Sequence, residues 1–139
     1  MPIASNEISE RRPMVIFADD DTLCLEVGVK MLQSLGYNVL KASNGQEAVE
    51  VYEKNQNKVK IAILDMNMPH NGGTTFERLK QINSKLKIII ASGYAEQSRI
   101  NELFRQGCDG FIQKPFTLEI LSKKLSLVLN NEITIFPHK

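Results

Sequence analysis

The chain has 139 residues, 42% of them hydrophobic and 24% charged, and a formal net charge of +1. That length fits one domain with a sizeable core. So even a charge balance gives no electrostatic argument for nucleic acid or an anionic membrane as a partner. The longest apolar runs, such as Met14 to Ala18, are strand-length and far too short to span a bilayer. The N-terminus carries no apolar signal-peptide core, so a cytoplasmic protein is expected. Cys24 and Cys108 lack metal-ligand spacing and read as reduced thiols.

Residues 1–13 are mixed and polar without a hydrophobic period, and read as a flexible leader or linker. From Met14 onward, short apolar runs alternate with helical patterns. The runs are Met14–Ala18, Tyr37–Ala42, Val59–Leu64, Leu86–Ala91 and Gly110–Gln113, and most are rich in Val and Ile, as strands buried on both faces require. The first helical segment carries Leu23, Val27, Met31 and Leu35 on one stripe and stops at Gly36, a residue suited to a left-handed cap. The second runs from about Gln46 to Lys54 with Ala48, Val49 and Tyr52 inward. Asn44 is its expected cap, ahead of Glu47. The third covers about Thr74 to Asn83 and buries Phe76, Leu79 and Ile82. The fourth covers about Glu96 to Gln106, with Ile100, Leu103 and Phe104 inward and Gly107 ending it. The fifth runs from Thr117 to about Asn130, with Leu118, Leu121, Leu125, Val128 and Leu129 on one face.

Five strands, each followed by a helix, imply parallel crossovers and a doubly wound α/β domain over 14–130, with a short tail at 131–139. Sites in such sheets form at the carboxyl ends of the strands. Those ends read Asp19-Asp20-Asp21, Asp65, Ala91-Ser92-Gly93 and Lys114-Pro115-Phe116. Carboxylates, a hydroxyl and an ammonium therefore converge on one edge. Several carboxylates in one cleft repel each other and call for protonation or a cation. Hard oxygen ligands favour Mg²⁺, with Asp20 and Asp65 as first choices and Asp19 direct or through water. Asp21 reads better as a helix cap. Asp65 closes the apolar run Ile61-Ala62-Ile63-Leu64, and the sharp turn after it would let a main-chain carbonyl near Asn67 face the metal. A carboxylate beside a divalent ion can attack phosphorus. The phosphoryl oxygens would then fall to the metal, Lys114 and Ser92. His70 and His138 lie in a loop and a tail and form no such constellation, and Gly72-Gly73 lacks Walker spacing.

This set of residues, in this order and spacing over roughly Pro13 to Asn130, resembles the receiver domain of two-component response regulators. The resemblance implies a flavodoxin-like sheet of order 2-1-3-4-5 and an aspartyl phosphate at Asp65, fed by a phosphohistidine on a sensor kinase or histidine phosphotransfer protein. It implies Mg²⁺ on Asp19, Asp20, Asp65 and the Asn67 carbonyl, and a cis bond at Lys114-Pro115. It also implies a switch in which Ser92 moves and the aromatic at Phe111 rotates, altering the face of the fourth helix, fifth strand and last helix. Downstream, the signal would pass to a protein partner or a fused kinase, without direct DNA binding or membrane contact, and a phosphorylation-dependent dimer is one expected form. Ser92 stands where threonine is common and Gly93 where alanine is. Phe111 lacks the hydroxyl of the tyrosine variant. The string Ser92-Gly93-Tyr94 with Phe111 to Phe116 resembles receivers fused to sensor kinases, so the chain is expected to be either a piece of a larger protein or a stand-alone regulator. Asn67 and Tyr94 flank the site and are expected to tune hydrolysis. Two other readings carry less of the pattern. One is a Mg²⁺-dependent phosphatase with an aspartyl nucleophile, whose signature Asp19 to Thr22 matches only loosely. The other is a receiver-like binding module independent of phosphorylation.

Overall fold

A computed structural model describes residues 13–68, 72–93 and 97–129. The five apolar runs form strands β1 (Met14–Ala18), β2 (Asn38–Ala42), β3 (Val59–Asp65), β4 (Lys87–Ser92) and β5 (Gly110–Gln113). Between and after them lie helices α1 (Thr22–Ser34), α2 (Gly45–Lys54), α3 (Gly72–Ile82), α4 (Gln97–Arg105) and α5 (Leu118–Leu129). All strand pairs are parallel and the order is β2-β1-β3-β4-β5, as expected for the doubly wound class. Residues 1–12 and 130–139, and with them the leader, the tail and His138, lie outside the described residues, as do His70 and Tyr94. No described helix is long and apolar enough to cross a membrane.

Alternate strand residues feed two cores, because successive side chains point to opposite faces. Ile16, Ala62, Leu64, Ile88 and Ile90 pack with Tyr52, Phe76, Leu79, Ile100 and Leu103 of α2, α3 and α4. Phe17, Ile61, Ile63 and Ile89 pack on the other face with Leu25, Leu32, Leu121 and Leu125 of α1 and α5. The local signals read from sequence act as expected at the ends. Asn44 Oδ1 accepts from Glu47 N–H at 2.8 Å, and Glu47 in turn accepts from Ser43 N–H rather than from the cap residue itself. Gly36 takes φ 97° and Gly107 φ 103°, a left-handed conformation that side-chain-bearing residues avoid.

Three expectations about helix faces are corrected. The buried row of α1 is Leu25, Gly28 and Leu32, while Leu23 is 68% and Val27 47% exposed. Met31 and Leu35 of the expected stripe do pack against the core, but its first two residues do not, because the contact there is made by a glycine, which carries no hydropathy signal. An ideal Cβ on Gly28 would lie 2.3 Å from the Phe17 ring, so α1 sits directly on that ring. On α4, Phe104 is 45% exposed, and only Ile100 and Leu103 turn inward. On α5, Leu118 is exposed and Leu121, Leu125 and Val128 do the packing.

Gly28→Ala should therefore destabilise the fold by about 1–3 kcal/mol through overpacking, although alanine gains about 1 kcal/mol in helix propensity. Adding Phe17→Leu should recover part of the loss. Urea midpoints at constant slope would check this, and a Gly28→Ala chain as stable as the parent would contradict the close contact.

Candidate functional site

The sheet delivers each polar group to its carboxyl edge through a strand whose remaining residues are apolar. Asp19 follows β1 directly, and its N–H donates to the Ala42 carbonyl at 3.1 Å, which ties it to the end of β2. Its Oδ1 accepts from Asp21 N–H at 2.9 Å. Asp21 is the cap of α1, accepting from Cys24 N–H at 3.0 Å, so its side chain is used as expected in starting the helix. Asp20 stands between them, exposed. Asp65 is the last residue of β3 and pairs in register with Ala91 of β4. The Met66 N–H then donates to the Ala91 carbonyl at 2.8 Å. Lys114 follows β5, its N–H donates to the Ser92 carbonyl at 2.8 Å, and its bond to Pro115 is cis.

These residues meet. Carboxylate oxygens of Asp19, Asp20 and Asp65 lie within 4.8 Å of one another. Lys114 Nζ donates to Asp19 Oδ2 at 3.1 Å and to Asp65 Oδ1 at 3.3 Å, and both aspartates are buried. Asp65 Oδ1 also accepts from Asn67 N–H at 3.3 Å. Burial first, and then the Asp19 charge, push Asp65 up to a pKa of about 6, against the opposing pull of Lys114 and the Asn67 N–H. For Lys114, burial works to lower the pKa. The hydrogen bond to Asp19 and the charges of both aspartates outweigh it, so its ammonium is held more firmly than in water.

Ser92, the last residue of β4, is fully buried, and its Oγ has no hydrogen-bond partner among the described residues. A buried hydroxyl without a partner costs about 1–3 kcal/mol. One strand over, Phe111 of β5 pairs with Ile90 and is partly buried against the core of the α2–α4 face. A Cβ on Gly93 would meet nothing within 4 Å, so packing does not demand glycine there. The three carboxylates provide a hard oxygen donor set of the kind that suits Mg²⁺.

Two features escaped the sequence reading. One is that Lys114 binds Asp19 as well as Asp65, across 95 residues of chain. The other is an apolar groove of about 430 Å³ beside the carboxylates, between α1 and the segment after β5. It is lined among others by Phe17, Leu23, Val27, Met31 and Phe116. The exposed pair Leu23 and Val27 was its signal, since apolar side chains that are not core must face something else.

The response regulator receiver domain family matches residues 15–126. Among curated relatives, the sensor kinase CckA of Brucella abortus is 33% identical over 92% of this chain, and the response regulator RR06 of Streptococcus pneumoniae is 29% identical over 87%. The chain spans 14% of the first relative's length and 55% of the second's. Among solved structures, the chemotaxis protein CheY4 of Vibrio cholerae is 26% identical with a TM-score of 0.78, over 84% of this chain and 98% of that one. A receiver domain from Clostridium thermocellum superposes with a TM-score of 0.83 at 24% identity, over 89% of this chain and 99% of that one, a likeness of fold. Matched by the family over most of its length and sharing its sheet order, this chain belongs to the response regulator receiver domain family.

Proposed function

We propose that the chain is the phosphoacceptor switch of a two-component phosphorelay, with Asp65 taking a phosphoryl group from a phosphohistidine on a sensor kinase or histidine phosphotransfer protein. The observation that carries this reading is the buried, partnerless Ser92 hydroxyl on the strand next to Asp65 and tied by its carbonyl to Lys114. A hydroxyl kept dry without a partner is stabilised by an oxygen that arrives later. The acidic cluster on the same edge fits Asp19, Asp20 and Asp65 as holders of Mg²⁺, with the Asn67 carbonyl completing the protein's share. When bound, that ion offsets the repulsion between two anions and polarises a phosphoryl oxygen.

In the transfer, an Asp65 carboxylate oxygen forms a bond to phosphorus while the P–N bond to the donor imidazole breaks and its electron pair stays on nitrogen. Lys114 and Ser92 take phosphoryl oxygens and orient them. The product adds about −1.5 to −2 charges at one point. Moving a population from about 1:99 to 99:1 requires roughly 5.5 kcal/mol of differential stabilisation, toward which new bonds from Ser92 and Lys114 contribute. Phe111, on the strand between α4 and α5, is the residue whose packing then changes. The output goes to a protein partner or a fused kinase. Receivers in general accept phosphoryl groups rather than turn over substrates, and no observation favours a phosphatase here. The apolar groove along α1 opens beside the acceptor and suits the docking of the phosphohistidine donor.

Asp65→Asn should abolish labelling by acetyl phosphate, and EDTA should suppress labelling of the parent chain; full labelling in either case contradicts the assignment. Leu23→Glu should slow transfer from a phosphohistidine protein at least about tenfold, a barrier change of about 1.4 kcal/mol, and leave acetyl phosphate labelling intact; equal loss with both donors would place Leu23 in folding instead. Because the folded pKa of Asp65 lies above its ordinary 3.8, its protonation supports the metal-free fold below about pH 4 and that support is lost as pH rises through about 6. At pH 7 without metal, Asp65→Asn should thus stabilise the chain by about 1–2 kcal/mol, read from urea melts at pH 4 and pH 7. A gain that is equal at both pH values would point to a different cause.

A further inference from the structure

The sheet is bounded by β2 on one side and β5 on the other, and the two edges differ in character. β2 carries the exposed cation Lys41, whereas β5 reads Gly-Phe-Ile-Gln without a charge. An uncharged edge strand is a liability that folds either blunt with charge or cover with another part of the chain. Beside β5 lies a groove of about 430 Å³. It is lined by Phe104 of α4, Gly110 and Phe111 of β5, and Lys124, Leu127 and Val128 of α5. Phe104 is 45% and Leu127 57% exposed, so the groove keeps apolar surface in water. Gly110 lets the last turns of α5 come close, since a Cβ there would lie 3.1 Å from Val128 Cγ2 and 3.6 Å from Lys124 Cδ. The end of α5 therefore forms one wall of the groove, and the chain leaves the helix beside it.

We infer that the apolar segment 133–136 of this chain docks in that groove and covers the β5 edge. The segment lies outside the described residues, and its sequence marks it as the occupant: Ile133-Thr134-Ile135-Phe136 is uncharged and carries three large apolar side chains. Its first residue comes five positions after Val128, within about 17 Å of it even when the chain between is fully extended. A tether that short gives an effective concentration of about millimolar, well above what a second copy or a free partner ordinarily reaches. Burying a single large apolar side chain favours the docked state by about tenfold or more. Side chains, rather than a paired parallel strand, make the contact. α3 and α4, which carry the chain outward across the sheet, pack on the face opposite α5, so a parallel strand after α5 would need a left-handed crossover. On the output reading above, any protein partner of the α4, β5 and α5 face must first displace this segment. The docking itself does not depend on that reading.

The chain contains no tryptophan, so Phe136→Trp places a single fluorescent reporter in the segment. In the 139-residue chain its emission should be blue-shifted relative to a peptide of residues 130–139 with the same substitution. Iodide should quench it several-fold more weakly than the peptide, and neither property should change on dilution. Adding Leu127→Glu or Phe104→Asp, each at an exposed groove position, should return emission and quenching to the peptide's values. Ile120→Glu, exposed on the same helix but not in the groove wall, should leave both as they were. Urea midpoints check that each variant folds, and if one groove variant unfolds, the other and the quenching of the reporter chain still decide. Peptide-like emission in the reporter chain overturns the inference. So does a blue shift abolished by Leu23→Glu and not by Leu127→Glu, which would put the segment in the groove along α1. A blue shift lost on dilution also overturns it, because a second copy would then be the partner. Phosphoryl labelling of Asp65→Asn tests the phosphoacceptor reading separately and has no bearing on these outcomes.

Discussion

The bridge that Lys114 makes between Asp19 and Asp65 is the contact around which the carboxyl edge is organised. It joins the ends of β1, β3 and β5, strands that are distant in sequence and separated by α helices in the chain. Without a cation, two buried carboxylates at the ends of apolar strands repel each other and lose hydration together. The elevated pKa of Asp65 shows how incompletely one ammonium offsets this. The site is thus held in an unfavourable electrostatic condition by a core that is otherwise apolar and well packed, and stronger positive charge relieves that condition.

The sheet makes this tolerable. Its five parallel strands are buried on both faces by helices, so the apolar runs anchor each strand end independently of what the polar edge does. The edge is tied together by backbone hydrogen bonds between strand ends, including those from Asp19 to Ala42, Met66 to Ala91 and Lys114 to Ser92. Those same bonds place the Ser92 hydroxyl and the Lys114 ammonium on a common edge. Asp65 is thus linked to β4 and β5 by hydrogen bonds between neighbouring strands and by its ion pair with Lys114, and Phe111 on β5 is three residues from Lys114. On the reading proposed above, the face of α4, β5 and α5 is where phosphorylation would be felt.

Most of the fold was legible because strands buried on both faces are written as continuous Val and Ile runs, and their ends as abrupt polar residues. The carboxyl-edge rule then brought Asp19, Asp20, Asp65, Ser92 and Lys114 to one side of the sheet, where the geometry unites the three carboxylates and the lysine. What could not be read was pairing at the level of single atoms. Nothing in the sequence says whether Lys114 turns to Asp19, to Asp65 or to both, because that depends on how two strand ends 95 residues apart are spaced. The face of α1 was half-read for a related reason: Gly28 packs on Phe17 without any hydrophobic signature, so Leu23 and Val27 looked like core and instead line a groove, while Met31 and Leu35 of the same row do pack against the core. Asp21, by contrast, was legible as a cap since local hydrogen bonding is decided within four residues.

The central claim is chemical and concerns one side chain. Aspartyl phosphate is an acyl phosphate, which borohydride reduces to homoserine while leaving free carboxylates untouched. Treating the Mg²⁺-loaded chain with a phosphohistidine donor, reducing it and sequencing its peptides by mass spectrometry locates the acceptor directly. The account predicts homoserine at position 65 and at no other aspartate; homoserine at position 19 or 20, or none at 65 under conditions where the donor loses its phosphoryl group to this chain, would contradict it.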